Sequence, residues 1–386
     1  MNQKRPAGPP DRRPVFFIAA ATAFSLLGDQ VLYAVLPVYY TELGITGLQV
    51  GVLLAANRIV RLATNALAHR LSDIVPQRPL LLAAFVLGVL TTAAYVFTSL
   101  FSVLLVARLA WGLSWSFIRH YGVQSVMYDV PVSEAGWTMG LMNGISRAGS
   151  AAGLFGGALL VDLLGFSTGM LTLAVLSLPA VWLAGIGFRT FPASEPGAPT
   201  IAGSGLNWQG FTLGMVGPGL VMATLGASLG EYVTEDGWMS AATLTGALLA
   251  VRYVLDSVAA PWLGAVTDRL GLPVAASLFF GIGGLSLIVA AAGLVWWLFT
   301  AAVMLFFVAG TALQAGVAGT ASMRRSAAYA RYVTANDLGS ALGPLLGWWL
   351  IDLYAEPGLA LVAGGVAYLV NIPFTAAWRS SGTLGR

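Results

Sequence analysis

The sequence predicts an all-α membrane protein: twelve transmembrane helices in two pseudo-symmetric six-helix bundles. Three observations predict it. Of the 386 residues, 58% are hydrophobic and only 9% are charged, against about 25% charged in a soluble domain. The apolar residues fall into runs of about 20, the length that crosses a bilayer as a helix. Stretches of the first half of the chain also recur in the second, the mark of folds built from two repeated bundles.

In chain order, residues 1–14 carry Lys4, Arg5, Arg12 and Arg13 among prolines and are expected to form a cytoplasmic tail. This basic start, followed by an apolar core and Ala21-Thr-Ala23, mimics a signal peptide. The apolar run continues to about Tyr40, however, so it is read as an uncleaved first helix. The spans are expected at 15–40, 46–69, 79–98, 101–128, 137–162, 166–188, 207–233, 239–264, 274–294, 296–321, 330–353 and 357–378. Residues 189–206, rich in Pro, Gly, Ser and Ala, read as a cytoplasmic linker between bundles 15–188 and 207–378. Residues 379–386 form the last tail, and these segments leave no room for a soluble domain.

Loop charge sets the orientation. Arginines lie in the first tail, near 70–78, at Arg189, Arg269, Arg324, Arg325 and Arg331, and in the last tail, while the alternate loops hold Glu42, Asp162, Glu235, Asp236, Asp352 and Glu356. The positive-inside rule then places both termini in the cytoplasm. Lys4 is the sole lysine against many arginines, a bias of GC-rich bacterial genomes, which points to a bacterial inner membrane. Paired tryptophans, Trp296-Trp297 and Trp348-Trp349, read as anchors at the membrane surface.

The repeat is read by counting. An offset of 195 lays Val50-Gly-Val-Leu-Leu-Ala55 on Thr245-Gly-Ala-Leu-Leu-Ala250 and Ser72-Asp73 on Thr267-Asp268. An offset of 190 lays the glycines from Gly149 to Gly157 on those from Gly339 to Gly347. Between the eighth and ninth spans stands a charged turn, Gly264-Ala-Val-Thr-Asp268-Arg269-Leu-Gly271. Here the chain resembles the major facilitator superfamily of secondary transporters, whose loop after the second helix of each half reads Gly-x-x-x-Asp-Arg-x-Gly. The equivalent first-half loop keeps Asp73 but has His69, Ile74 and Pro76 at the other three positions. Arg108-Leu-Ala-Trp-Gly112 is similar to the superfamily's fourth helix, and Asp129-Val-Pro131-x-x-Glu134-x-Gly136 to the turn after it. The resemblance implies alternating access, with Asp73, Asp268 and Arg269 at a cytoplasmic gate and Arg108 at a position linked to proton handling.

Glycines at helical spacing, Gly149, Gly153, Gly156 and Gly157 in one half and Gly339, Gly343 and Gly347 in the other, give smooth faces for close helix contact. Pro37, Pro218 and Pro344 each remove a helical hydrogen bond. Six arginines fall inside predicted spans: Arg58, Arg61, Arg108, Arg119, Arg147 and Arg252. At about 3 kcal/mol each they would cost on the order of 18 kcal/mol facing lipid, so they must face a wet cavity or partners. The midspan acids are Asp29, Asp256 and Asp337. By the offsets, Arg61 corresponds to Asp256 and Arg147 to Asp337. The superfamily's arrangement of helices implies the pairs Arg61–Asp337 and Arg147–Asp256, either as releasable gates or as permanent structural pairs.

Arg58 and Arg119 point to an anionic cargo, unless Arg119 and His120 reach headgroups at the helix end. Asp29, on a face with Tyr33, serves coupling or substrate contact, or pairs with Arg58 or Arg119. Trp111 is a candidate for lining the cavity. With no cysteine, two histidines and no clustered carboxylates, neither a metal nor a cofactor is expected. The chain shows no nucleophile with a base, no phosphate loop and no nucleic-acid patch. The expectation is a monomeric, proton-coupled transporter of a small anionic organic solute, favoured as an exporter. A multidrug/proton antiporter, an uptake symporter and a non-transporting scaffold are the alternatives.

Overall fold

The computed structural model describes residues 12–191, 205–232, 239–293, 295–324 and 326–380, and among them no strand forms. In the first half the helices are α1 (Arg13–Tyr39), α2 (Gly47–Ile74), α3 (Gln77–Phe97), α4 (Phe101–Asp129) and α5 (Val132–Ala151). α5 runs on through a π-helical turn, Ala152–Gly156, into Gly157–Leu164. α6 is Phe166–Ser177 followed, after a break at Leu178, by Pro179–Gly187. In the second half α7 begins as Gly205–Gly214, widens into a π-helical turn at Met215–Val221 around Pro218, and ends as Met222–Gly230. α8 comprises Ala241–Val258 and Ala260–Leu270. α9 (Leu272–Ala291), α10 (Trp296–Arg324), α11 (Ser326–Tyr354) and α12 (Pro357–Ser380) complete the set.

Among the described residues, eleven helices are long and apolar enough to cross a membrane. They do not include α11, where the span at 330–353 is expected; it is 29 residues long and carries Asp337 and Asp352. The all-α class holds. Most of the linker 189–206 and of both tails lies outside the described residues. The charged turn expected at Gly264–Gly271 is helical up to Leu270, and only Gly271 turns, at φ 77°. Glycine takes that angle without the Cβ clash that other residues meet there. Similarly, α2 continues to Ile74, past His69 and Asp73, before Pro76 starts the next helix.

Contacts divide the chain into two compact units, Met1–Leu32 with Ile59–Gly197 and Tyr33–Arg58 with Ala198–Arg386. The sequence split at the linker differs from this by one hairpin, the end of α1 and the start of α2. In lipid, helices gain little from hydrophobic burial against one another, so close backbone approach carries more of the association. Both units use the repeated glycines for it. In the first, a Cβ at Gly149 would strike the backbone of Ala23 on α1, and one at Gly153 would lie 2.7 Å from Leu27 O. In the second, Gly339 faces Phe211 and Met215 of α7, and Gly343 faces Met215, Gly219 and Leu220. The sequence repeat is thus a packing repeat: α5 on α1, α11 on α7.

Within the second unit the hairpin seats on Trp348 of α11, which is fully buried and no surface anchor; Trp349, Trp296 and Trp297 are exposed. The Trp348 indole donates to Ala223 O at 2.9 Å and meets Tyr40 edge to face, while Gly47 and Gly51 leave room for its ring. Asp352 then accepts the Leu48 N–H at 2.7 Å, capping α2 from another helix, alongside the local cap of Thr46 and Gln49. A carboxylate is favoured at a helix N-terminus. The Asp352→Ala variant is expected to lose about 1 kcal/mol, read as a lower melting temperature of the purified protein.

Candidate functional site

The first unit holds a buried ion pair built from three helices. α1 supplies Asp29 and Gln30, α3 supplies Thr91, Thr92 and Tyr95, and α4 supplies Arg108 and Trp111. Small residues bring them together. A side chain at Gly28 would strike Thr92, so only glycine lets α1 lie on α3 there; at Gly88 a Cβ would lie 2.9 Å from the Trp111 ring. The hydroxyls of Thr91 and Thr92 turn back to Gly88 O, at 2.8 and 3.2 Å.

Asp29 is 6% exposed and Arg108 1%. Arg108 Nη1 donates to Asp29 Oδ1 at 2.5 Å, and Gln30 Nε2 donates to Asp29 Oδ2 at 2.8 Å. Each carboxylate oxygen is therefore bonded, as a charge taken from water requires. Asp29 is the only acid among the described residues with less than a tenth of its surface exposed. Beside the pair lies a cavity of about 10 Å³ open to a water's centre. That is close to what one water needs, and far below what an organic molecule needs.

The profile of the Major Facilitator Superfamily matches residues 18–213, just over half of the chain and including this pair. The chain belongs to the Major Facilitator Superfamily. It is also 27% identical over 397 aligned positions to a chloramphenicol resistance protein of Streptomyces lividans, with 94% of this chain and 96% of that protein covered. Membership of the Major Facilitator Superfamily makes the chain an integral membrane transporter of small molecules.

Other residues singled out by sequence take different places in this superfamily member. Asp29 pairs with Arg108. Arg119 is exposed on α4. Arg58 lies in the second unit, its guanidinium carbon 5.4 Å from the centre of the Tyr33 ring. Its Nη1 donates to Pro218 O at 2.7 Å and Ser340 O at 2.9 Å. The Ser340 carbonyl lacks its regular helical donor, since Pro344, four residues on, has no N–H to return to it. Arg58 thus satisfies a backbone group that the proline leaves short of a donor.

Asp256 is half-buried and accepts from Thr311 Oγ1 at 2.6 Å. Arg61, Arg147 and Asp337 are half-buried, and Asp268 and Arg269 are exposed at the end of α8. Asp73 is 3.8 Å from His69 Nδ1, and His69 stacks at a tilt on His120, ring centres 5.7 Å apart, so the chain's two histidines meet. Among the described residues no group of three His, Cys, Asp or Glu side chains is arranged to hold a metal ion. Sequence reasoning left out Gln30 and Thr311, and it counted Arg252 without a role. Gln30 directly follows Asp29, a signal open to reading; Thr311 carries none.

Proposed function

We propose that the chain is a proton-coupled exporter of a small organic molecule, working by alternating access, with Asp29 as the proton acceptor and Arg108 as its counter-ion. The observation that carries this reading is the buried Asp29–Arg108 pair beside a water-sized cavity. A proton on Asp29 removes the charge that holds Arg108, and a guanidinium that never deprotonates must then find another acceptor. Proton binding is in that way tied to the arrangement of α1 against α4. The cavity is too small for cargo, so Asp29, Trp111 and Arg108 are assigned to coupling, and cargo is handled elsewhere. Export is favoured because a relative covering nearly the whole chain is named for drug resistance, which a membrane carrier gives most directly by outward transport.

The gates Arg61–Asp337 and Arg147–Asp256 belong to this proposal and rest on the superfamily's arrangement of helices together with the sequence repeat. Their test is to exchange the two charges of one pair: a structural pair keeps transport, a gate loses it. The chain is placed in a bacterial inner membrane with cytoplasmic termini on its loop charges.

The coupling reading is tested in proteoliposomes with 4-nitrobenzoate as the first cargo. An imposed pH gradient is expected to drive flux in the wild type. Asp29→Asn keeps the hydrogen-bonding shape without the titrating group and should abolish the response to the gradient. A mutant that still follows the gradient would overturn the role of Asp29.

A further inference from the structure

Three arginines among the described residues are less than a tenth exposed: Arg58, Arg108 and Arg252. Arg108 has a carboxylate and Arg58 has two carbonyl oxygens. Arg252 has neither. It stands near the middle of α8, 8% exposed, and forms no ion pair among the described residues. Its polar contact is Nη1 to the sulfur of Met222, at 3.6 Å. A thioether is a weak acceptor. The rings of Phe307 and Tyr253 lie with their centres 5.8 and 6.0 Å from the guanidinium carbon, at the outer limit of useful cation–π attraction.

These contacts do not replace the hydration that a guanidinium loses on entering a membrane span. An ion left without a counter-charge at that depth is a mark of function. The nearest acid along the helix, Asp256 one turn on, is held by Thr311. Around the cation the surfaces are flat or soft: Phe307, Tyr253 and Met222, with the fields of Arg58, Tyr33 and Asp256 also reaching Tyr253. All of these residues belong to the second unit.

We propose that Arg252 anchors a binding site for a small aromatic monocarboxylate, held by a two-pronged bond to the guanidinium with its ring against Phe307 and Tyr253. A carboxylate matches the guanidinium fork and cancels its charge, whereas an uncharged acceptor does only the first. Asp256 nearby opposes a second negative charge. Phe307 favours a planar body; it and Met222 are 2% and 1% exposed, so the ligand enters only as these side chains shift. The site deepens the transport reading, on which it rests for the route by which such a molecule arrives; it names the class of cargo.

The test uses 4-nitrobenzoate and its uncharged analogue 4-nitrobenzamide on the purified full chain, with binding read by titration and by thermal shift. The wild type is expected to bind the carboxylate and not the amide. Arg252→Gln should weaken carboxylate binding roughly ten- to hundredfold, the worth of a charge-assisted bond, and Arg252→Lys should recover part of it. Removal of an unmatched buried charge should also raise the melting temperature of the ligand-free Arg252→Gln protein. Equal binding of acid and amide, unchanged binding in Arg252→Gln, or a fall in its ligand-free melting temperature would each overturn the site. Arginine-dependent binding without any gradient-driven flux would leave the site standing and remove the exporter reading; flux with arginine-independent binding would do the reverse.

Discussion

Replacing Arg108 with alanine is expected to leave little folded protein. Asp29 would then keep its charge and its depth while losing the partner that offsets both, at about 3–5 kcal/mol. That is a large share of the 5–15 kcal/mol by which a typical protein is stable. The informative comparison is the double variant Asp29→Leu with Arg108→Met, which removes both charges and fills the space with apolar atoms. Exchange of a whole buried pair for hydrophobic residues is often neutral or stabilising, so the double variant should melt near the wild type although it cannot couple to protons. Strong non-additivity of this kind is what contact between the two groups requires. If the double variant is as unstable as the single one, the pair is not what holds α1 to α4.

Gly339→Ala is expected to be the other severe lesion, although it adds a single methyl group. The new carbon would overlap Phe211 O and come within 2.7 Å of Met215 N, both backbone atoms of α7. Backbone cannot swing aside as a side chain can, so the two helices must separate along their length and lose contacts well beyond the site. The cost is about 3 kcal/mol or more, the upper end of overpacking effects. Gly140→Ala is the matched control. It lies in α5 with nothing within 4 Å of the added carbon, and should gain up to about 1 kcal/mol from helix propensity. Melting curves of the two variants in the same detergent decide the matter.

Much of this architecture was open to reading in the sequence, for reasons specific to membranes. Long apolar runs mark helices directly, and the glycines at Gly149 and Gly339 mark where backbones touch because nothing larger fits. The Asp29–Arg108 pair was harder to see. Asp29 and Arg108 stand at unrelated places in the repeat, so an argument from equivalent positions leads to Arg61 and Arg147 and passes over them. Arg58 was assigned to cargo because, with Arg119, it offered fixed positive charge in a span that an anion could match. Its partners are the carbonyl of Ser340, left over by Pro344, and that of Pro218. The proline effect was visible; which cation would come to it depends on how α2 lies on α7 and α11. The hairpin's allegiance was likewise hidden, since Leu48 and Asp352 are joined by a cap that no local pattern announces.

The seating of Tyr33–Arg58 on Trp348 and Asp352 also bears on how the chain is made. The ribosome delivers this hairpin among the first segments and its docking surface among the last. Throughout synthesis the early hairpin must wait in the bilayer with its glycine face unfilled, shielded by lipid or by the insertion machinery. A gene cut at the linker should therefore yield an amino-terminal fragment that is degraded when made alone and rescued when the carboxy-terminal fragment is supplied alongside.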